Sequence, residues 1–384
     1  MKLLFKNATV HPITSDSFIG DILIENEIIV DVSKNIECAD AELVDCTGKH
    51  IFPGFIDAHS HIGLTEGGLP SDGTYQDVNE MTDPITAQVR ITDGFNPDDE
   101  AIKEALSGGV TTVCVFPGSA NLVGGQGAIL KFKGITVEQM TVKNPSGLKM
   151  ALGENPKRVY GSMKKMPSTR LGNAALIRSY FTKVKSYIAK KEATEKEGKE
   201  FTDIDLNLEI GIKVLKKEIP ARIHAHRKDD ILTAIRLSEE FDFDLVVEHA
   251  TESYKIADII KEKNIPVVLG PIFGYRSKPE LRDKTFDAIR IINEKGINAA
   301  LMCDHPVIPQ EYAIVQAGIA LKYGAKEEDI IKMLTINAAQ ILDLEDKIGS
   351  LENGKQADIV VWTDHPLTYK ATVEKVYIEG TQVY

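Results

Sequence analysis

Two histidines separated by one residue, His59 and His61, end an otherwise apolar stretch that begins at Ile51. Residues i and i+2 of a β-strand point to the same face, so these two imidazoles can approach one metal ion. Two histidines with this spacing and no other potential ligands nearby are more often solvated surface residues. Their interpretation as a metal site therefore depends on whether other ligands converge on them.

Further groups with ligand chemistry stand at or just past the ends of later strand-like runs. They are His224, His226, His249 and, side by side, Asp304 and His305. Imidazole and carboxylate groups suit zinc, iron, nickel or manganese. Because several predicted strands would bring these groups to one rim, we expect a metal centre.

A lysine also lies within an apolar run, where an ammonium group is costly to bury. This residue, Lys149, could pair with an inward carboxylate, or its chain could extend outward to water. It could also be carbamylated by CO₂, which turns the amine into a carboxylate able to bridge two metal ions. Glu154, five residues later, offers a bridging carboxylate without modification. We favour Lys149 and retain Glu154 as the alternative.

Asp304 is the candidate catalytic residue. It follows the last strand-like run of the middle segment. A carboxylate facing a metal ion can ligate it and accept a proton from its bound water, whose pKa a metal can bring to about 7. The same carboxylate can then act as general base and later as general acid. The structural alternative is an aspartate that forms a turn or caps a helix.

The elements that must position these groups alternate between apolar runs and helical patterns. Most of the runs are continuously apolar, as expected for parallel strands buried on both faces. Seven are clear, at Ile51–Ile56, Val110–Phe116, Leu148–Leu152, Ala221–Ala225, Asp244–Val247, Ile265–Leu269 and Ile297–Met302. An eighth is predicted within Ala128–Val142. Eight βα units predict an α/β fold of the TIM-barrel type, (β/α)8. A doubly wound sheet is the alternative, although no glycine-rich dinucleotide turn follows the first strand.

Both ends of the chain are rich in short β segments separated by polar turns. Chain termini often lie close together at a surface. The sequence therefore predicts a small composite β-sandwich domain made from residues 1–50 and 346–384. The barrel would occupy residues 51–345.

The composition is ordinary for a globular protein, with 43% hydrophobic and 27% charged residues. The formal charge of -12 comes without a dense basic patch, which argues against nucleic acid or an anionic membrane surface as a partner. No uninterrupted apolar run approaches the roughly 20 residues of a membrane span, and the four cysteines have no CxxC spacing. We expect a soluble, cytoplasmic protein with a small-molecule substrate. The oligomeric state stays open, a homo-oligomer included.

These motifs together resemble the amidohydrolase superfamily, in particular the branch of imidazolonepropionase-related hydrolases. Residues 53–61 match its PGFID-x-H-x-H motif, and residues 107–113 resemble its second-strand signature. His224, His249 and Asp304 match the remaining ligand strands. The resemblance covers nearly the whole chain, because residues 334–339 and 348–358 resemble the closing helix and the return to the β-domain.

The resemblance implies a TIM barrel with a composite β-sandwich, in which metal-activated water attacks an amide or a related carbon. The implied ligand set is His59 and His61 for one ion, His224 and His249 for the second, Lys149 as a bridge, and Asp304 as ligand and base. Two ions are favoured over one. Zinc is the first choice, with iron, manganese and nickel left open.

The substrate is predicted less sharply than the reaction. His226, Arg227, Arg276 and Lys278 are cations near predicted strand ends, so an anionic substrate is one option. Examples are an acylated amino acid or a carboxylated cyclic amide. Ion pairs at the rim are the alternative explanation of these residues. Two other functions remain under comparison with hydrolysis of a C–N bond: a mononuclear heterocycle deaminase, and a non-catalytic barrel that binds a metal or ligand.

Overall fold

The computed structural model describes residues 2–68 and 76–384, and its strands form two sheets. The strands are β1 (Lys2–Val10), β2 (Phe18–Glu25), β3 (Ile28–Ser33), β4 (Glu42–Asp45), β5 (His50–Pro53), β6 (Phe55–Ser60), β7 (Val110–Val115), β8 (Val123–Lys131), β9 (Thr141–Ala151), β10 (Ala221–Ala225), β11 (Leu245–His249), β12 (Val267–Leu269), β13 (Ala299–Leu301), β14 (Ile359–Trp362), β15 (Val373–Ile378) and β16 (Thr381–Gln382).

Most of the helices lie between successive barrel strands, and the last three lie between β13 and β14. The α-helices are α1 (Ala101–Ser107), α2 (Val137–Met140), α3 (Glu154–Ser162), α4 (Arg170–Lys196), α5 (Leu206–Leu215), α6 (Lys228–Phe241), α7 (Ala257–Glu262), α8 (Ala288–Glu294), α9 (Ala313–Lys322), α10 (Glu327–Met333) and α11 (Ile336–Leu342). Short 3₁₀ turns lie at Ile91–Asp93, Ser253–Ile256, Pro279–Leu281 and Gln310–Tyr312. In the described part of the chain, no helix is long and apolar enough to cross a membrane.

The first sheet, the terminal sheet, joins the two ends of the chain. Its order is β16-β15-β14-β5-β1-β2-β3, with β4 also paired to β1. The contact between the two ends is the antiparallel pairing of β5 with β14. The predicted β-domain from both termini is therefore present. The predicted boundary after residue 50 falls inside β5, and the change from one sheet to the other comes at Gly54.

The second sheet curls into a nearly closed barrel in the order β13-β12-β11-β10-β9-β8-β7-β6. Its two end strands meet where the backbone N–H of His61 donates to the carbonyl of His305 at 3.2 Å. Strands β7, β10 and β11 are buried along their whole length, because helices cover one face and the barrel interior covers the other. The α/β-barrel prediction is confirmed.

Strand β8 departs from the simple eightfold βα pattern. It begins at Val123 and ends at Lys131, so it lies earlier than the predicted segment 128–142. It pairs antiparallel with both β7 and β9, whereas the other barrel pairings are parallel. The chain can make this reversal because the connection from β7 to β8 spans only residues 116–122 and contains no helix.

The terminal sheet and the barrel are joined by a buried ion-pair network and by close backbone packing. The ammonium group of Lys131 at the end of β8 lies 2.8 Å from a carboxylate oxygen of Asp358 and 3.2 Å from one of Glu379. The backbone N–H of Gly54, between β5 and β6, donates to the carbonyl of Asp358, which comes just before β14, at 2.9 Å. These contacts hold the barrel against the terminal sheet next to the start of β6, the strand that contains His59.

Candidate metal centre and active site

The first group of potential metal ligands consists of His59, His61 and Asp304. His59 is the second-last residue of β6, His61 follows that strand, and Asp304 follows β13 across the closure of the barrel. A carboxylate oxygen of Asp304 lies 3.4 Å from Nε2 of His59 and 3.2 Å from Nε2 of His61. The structure thus places the two sequence-predicted imidazoles beside the carboxylate nominated as base.

The second group consists of His224, His226 and His249, whose ligand atoms lie within 4.8 Å of one another. His224 is in β10, His226 follows that strand, and His249 ends the neighbouring β11. The ring centroids of His59 and His249 are 5.4 Å apart, so the second group borders the first. His226 was nominated for substrate binding, and here it lies among the potential metal ligands.

Hydrogen bonds to acceptor-only partners orient three of these rings. Nδ1–H of His61 donates to the carbonyl of Phe116 at 2.7 Å, and Nδ1–H of His249 donates to that of Gly270 at 2.9 Å. Nδ1–H of His59 donates to the carboxylate of Glu248 at 3.0 Å. A proton on Nδ1 leaves the Nε2 lone pair available, which is the usual arrangement of a histidine ligand.

Burial keeps the imidazoles of the second group neutral. It lowers the pKa of His224 and His226 well below the usual range and that of His249 to about 3, although Asp304 opposes the shift at His249. Nδ1 of His224 is buried with no hydrogen-bond partner among the described residues. A neutral ring with an unpartnered nitrogen is suited to metal binding, so the donor set fits a divalent transition-metal ion.

Lys149 lies beside the first group, with its amine 3.2 Å from Nε2 of His59. It is fully buried in β9. Burial lowers the pKa of Lys149 to about 8, against the opposing attraction of Glu248 and Asp304. The alternative bridge, Glu154, begins α3, and it lies in neither ligand group. The position beside the histidines is therefore occupied by Lys149.

A buried ion pair supports His59 from behind. Nε of Arg222 donates to Glu248, and its NH2 group donates to the carbonyl of Ala58 at 2.8 Å. Burial alone would raise the pKa of Glu248, but Arg222 and His59 outweigh it and hold this pKa at about 2. Glu248 is thus a fixed anion that orients His59. Arg222 was not among the predicted site residues.

A second carboxylate, Asp57, ties the first barrel strand to the last. It accepts hydrogen bonds from the backbone N–H of Cys303 at 3.3 Å and from the side-chain amide of Gln310 at 2.9 Å. Burial raises the pKa of Asp57 to about 6. This contact fixes the segment that carries Asp304 against the strand that carries His59.

The backbone of the site is strained at three residues. His249, Ala250 and Asp304 have φ angles of 66°, 45° and 54°, in the left-handed region that residues other than glycine rarely adopt. Such conformations persist only where the surrounding structure imposes them, and they concentrate at functional sites. The strain thus falls on two of the potential ligands.

A cavity of about 480 Å³ opens over these groups and is large enough for a small organic molecule. Its floor contains His224, His226, His249 and Asp304, and other lining residues come from α3 and from the segment after β12. This position above the carboxyl ends of the strands is where TIM-barrel enzymes carry their active sites.

Of the cations nominated for an anionic substrate, Lys278 lines this cavity and the two arginines do not. Arg227 is partly exposed and pairs with Asp229 at 2.8 Å, and Arg276 is exposed and donates to the carbonyl of Lys284. Neither arginine lines the cavity. His305 is buried, but it is in neither ligand group.

The fold and the paired ligand groups define a metal-dependent hydrolase of the barrel class. The family model for the amidohydrolase family matches residues 50–383, and the chain belongs to that family. Membership of this family gives the general activity: the protein is a metal-dependent amidohydrolase that acts on C–N bonds.

Named relatives agree with this assignment. The chain is similar to an amidohydrolase of known crystal structure from Thermotoga maritima, with 60% identity, a TM-score of 0.98, and coverage of 100% of this chain and 99% of that one. Amidohydrolase tasK of Hapsidospora irregularis is 28% identical over 95% of this chain, which spans 40% of that protein's length. Imidazolonepropionase of Thermoplasma volcanium is 24% identical, with coverage of 100% of this chain and 98% of that protein.

Proposed function

We propose that this protein hydrolyses the C–N bond of a small cyclic or linear amide with a binuclear metal centre, most simply of zinc. The observation that carries the proposal is the adjacency of two three-residue ligand groups under one cavity. A structural zinc site is usually a single closed set of four ligands. Two neighbouring groups facing a cavity favour catalysis instead.

The residues named above would hold the ions as two groups. His59, His61 and Asp304 would bind one ion, and His224, His249 and the neighbouring His226 would bind the other. Bound metal would supply an activated water nucleophile and polarise the substrate carbonyl. The protein contributes the orientation of the rings, through the carbonyls of Phe116 and Gly270 and the carboxylate of Glu248.

Lys149 would act as a carbamate that serves both groups. The neutral amine adds to CO₂, forms an N–C bond and releases one proton, which leaves a carboxylate on the side chain. Electrostatics favour the carbamate over the ammonium form of Lys149, because an ammonium group 3.2 Å from Nε2 of His59 would repel a metal cation held there. A carbamate at the same place would offer oxygen ligands instead.

Asp304 would move the proton. Burial alone would raise the pKa of Asp304, but His249, His59 and His61 outweigh it and hold this pKa well below its usual range. The carboxylate is therefore ionised and can accept a proton from the attacking water. It would then donate that proton to the leaving nitrogen.

The test is the Asp304→Asn variant, assayed for amine release from a panel of cyclic amides and N-acyl amino acids. We expect kcat to fall by about 10²–10⁴-fold, the usual contribution of a general acid–base residue. Metal content should fall less than in His249→Ala, because the other ligands remain. The matched control is Asp21→Asn, which removes a buried carboxylate bonded to Lys6 in the terminal sheet.

Two results would contradict the proposal. One is an Asp304→Asn enzyme that keeps wild-type turnover. The other is a wild-type enzyme, loaded with metal, that releases no amine from any member of the panel. The Asp21→Asn control separates the expected fall in kcat of Asp304→Asn from a general loss of folded protein, since its own kcat should stay near that of the wild type.

A further inference from the structure

The walls of the cavity carry an excess of positive charge. Arg158 on α3 and Lys278 and Lys284 on the segment after β12 all line it. Asp304 is the one acidic residue among the described lining residues, and it already contacts two imidazoles at the floor. An anionic group entering the cavity would therefore meet cations above the floor.

The three cations differ in how they are neutralised. The ammonium group of Lys278 lies 2.9 Å from a carboxylate oxygen of the buried Glu280 and 3.3 Å from the amide oxygen of Asn155. Its charge is already balanced. Lys278 links Glu280 to Asn155 in the wall of the cavity and is not available to a ligand as an uncompensated cation.

Lys284 and Arg158 have no carboxylate partner within ion-pair distance among the described residues. The ammonium group of Lys284 is half-buried and donates to the backbone carbonyl of Gly274 at 2.9 Å, a neutral acceptor that leaves its charge unbalanced. The guanidinium of Arg158 is on an exposed residue of α3, and it can turn toward a carboxylate with two parallel donors.

We propose that Arg158 and Lys284 form a subsite for a carboxylate of the substrate, a part of the ligand distinct from the amide that is cleaved. The inference rests on the proposed function, since it assigns the substrate class of the same cavity. That class is the small carboxylated amides, such as N-acyl amino acids or cyclic amides that bear a carboxylate side chain. The proposal assigns anion binding to Arg158 and Lys284, which line the cavity, and not to Arg227 and Arg276, which do not.

The discriminating probe is a pair of ketones of matched shape that contain no C–N bond. They are 4-oxopentanoate and 5-methylhexan-2-one, in which an isopropyl group replaces the carboxylate. Ligand-observed NMR titration of the metal-loaded wild type should show the carboxylate binding at least about tenfold tighter, as expected for charge-assisted contacts. In Arg158→Gln/Lys284→Gln the two affinities should agree within about twofold.

The control is Arg227→Gln, which removes a nearby cation that is paired with Asp229 and does not line the cavity. It should keep the wild-type ratio of affinities. Should the double variant fold poorly, the single Arg158→Gln, at an exposed position, should lower the ratio by at least about threefold. Raising the salt concentration should lower the ratio in the wild type and leave it unchanged in the double variant.

Equal affinities in the wild type would overturn the subsite. So would a double variant that keeps the tenfold preference, because the carboxylate would then bind at the histidine groups or their metal. Neither measurement involves turnover. A protein that prefers the carboxylate and hydrolyses no amide would contradict the proposed function alone, and a hydrolase with equal affinities would contradict the subsite alone.

Discussion

At the scale of single residues, the nine histidines separate into two populations. Six lie at the ends of barrel strands, and five of those belong to the two ligand groups. The remaining three, His11, His50 and His365, gather on the terminal sheet. Nε2 of His11 lies 2.9 Å from Nδ1 of His50, and the ring of His11 stacks on Phe52 with a centroid distance of 3.9 Å.

This second population should make the folded protein sensitive to acid. Burial, together with His365 and His50, lowers the pKa of His11 to about 3. The unfolded chain, where a histidine titrates near its usual pKa of about 6.5, then binds more protons than the folded one at pH between 3 and 6.5. Stability must fall as the pH drops through this window. The nearby carboxylates, Asp364 beside His50 and Glu327 beside His365, reduce the effect.

The measurement is urea unfolding of the wild type and of His11→Gln at pH 7 and pH 5. The wild type should lose about 1–2 kcal/mol more of its free energy of unfolding than the variant over this interval, after allowance for solvent screening of a partly exposed ring. An equal loss in both proteins would show that His11 is not held neutral by the fold.

The candidate ligand residues could be predicted because their chemistry is visible in the sequence. His59, His61, Lys149 and Asp304 all stand next to apolar runs. The partnership of Arg222 with Glu248 was not predicted, although Arg222 precedes His224 by two residues and so points to the same side of β10. Charged residues inside apolar strands, and not only at their ends, were the available signal.

At the scale of elements, composition predicted where strands lie better than how they run. β8 is an apolar, glycine-containing strand like its neighbours, and nothing in its residues specifies an antiparallel direction. The direction follows from the short connection at 116–122, which is too short for a helical crossover. The geometry of the loops likewise decides whether the side chains of Arg227 and Arg276 reach the cavity. Their positions after predicted strands do not reveal this.

The junction between the barrel and the terminal sheet depends on a glycine. Gly109, just before β7, has φ +79°, and a Cβ there would lie 2.6 Å from the indole of Trp362 in β14. We predict that Gly109→Ala destabilises the protein by about 2–5 kcal/mol. A left-handed residue with a side chain costs about 1–2 kcal/mol, and the overpacking against Trp362 adds about 1–3 kcal/mol.

Gly48→Ala is the matched control, because Gly48 has φ +73° with open space where the Cβ would go. It carries the backbone cost without the clash. Thermal and urea unfolding of both variants should therefore place Gly109→Ala clearly below Gly48→Ala. Equal destabilisation would mean that the tryptophan moves aside at no cost and that the junction is not tightly packed.

At the scale of the whole molecule, the site exists only when the barrel closes. His59 and Asp304 come from the first and last strands, and Lys149 and His224 come from strands between them. This arrangement could be predicted because each candidate residue lies within or just after an apolar run and parallel strands share one rim. The contribution of Arg158 and Lys284 to the cavity wall could not, since they lie on a helix and an irregular segment whose mutual position depends on the folded barrel.

The central claim is that this rim holds two metal ions with Lys149 between the ligand groups. The most direct measurement is metal content per chain, on protein purified without chelators in the presence of bicarbonate. We predict about two ions per chain in the wild type, a sharp decrease in Lys149→Ala, and recovery of that variant with added short carboxylates. One ion with no response to Lys149→Ala would contradict the bridge and favour a mononuclear deaminase, and no metal at all would contradict the whole account.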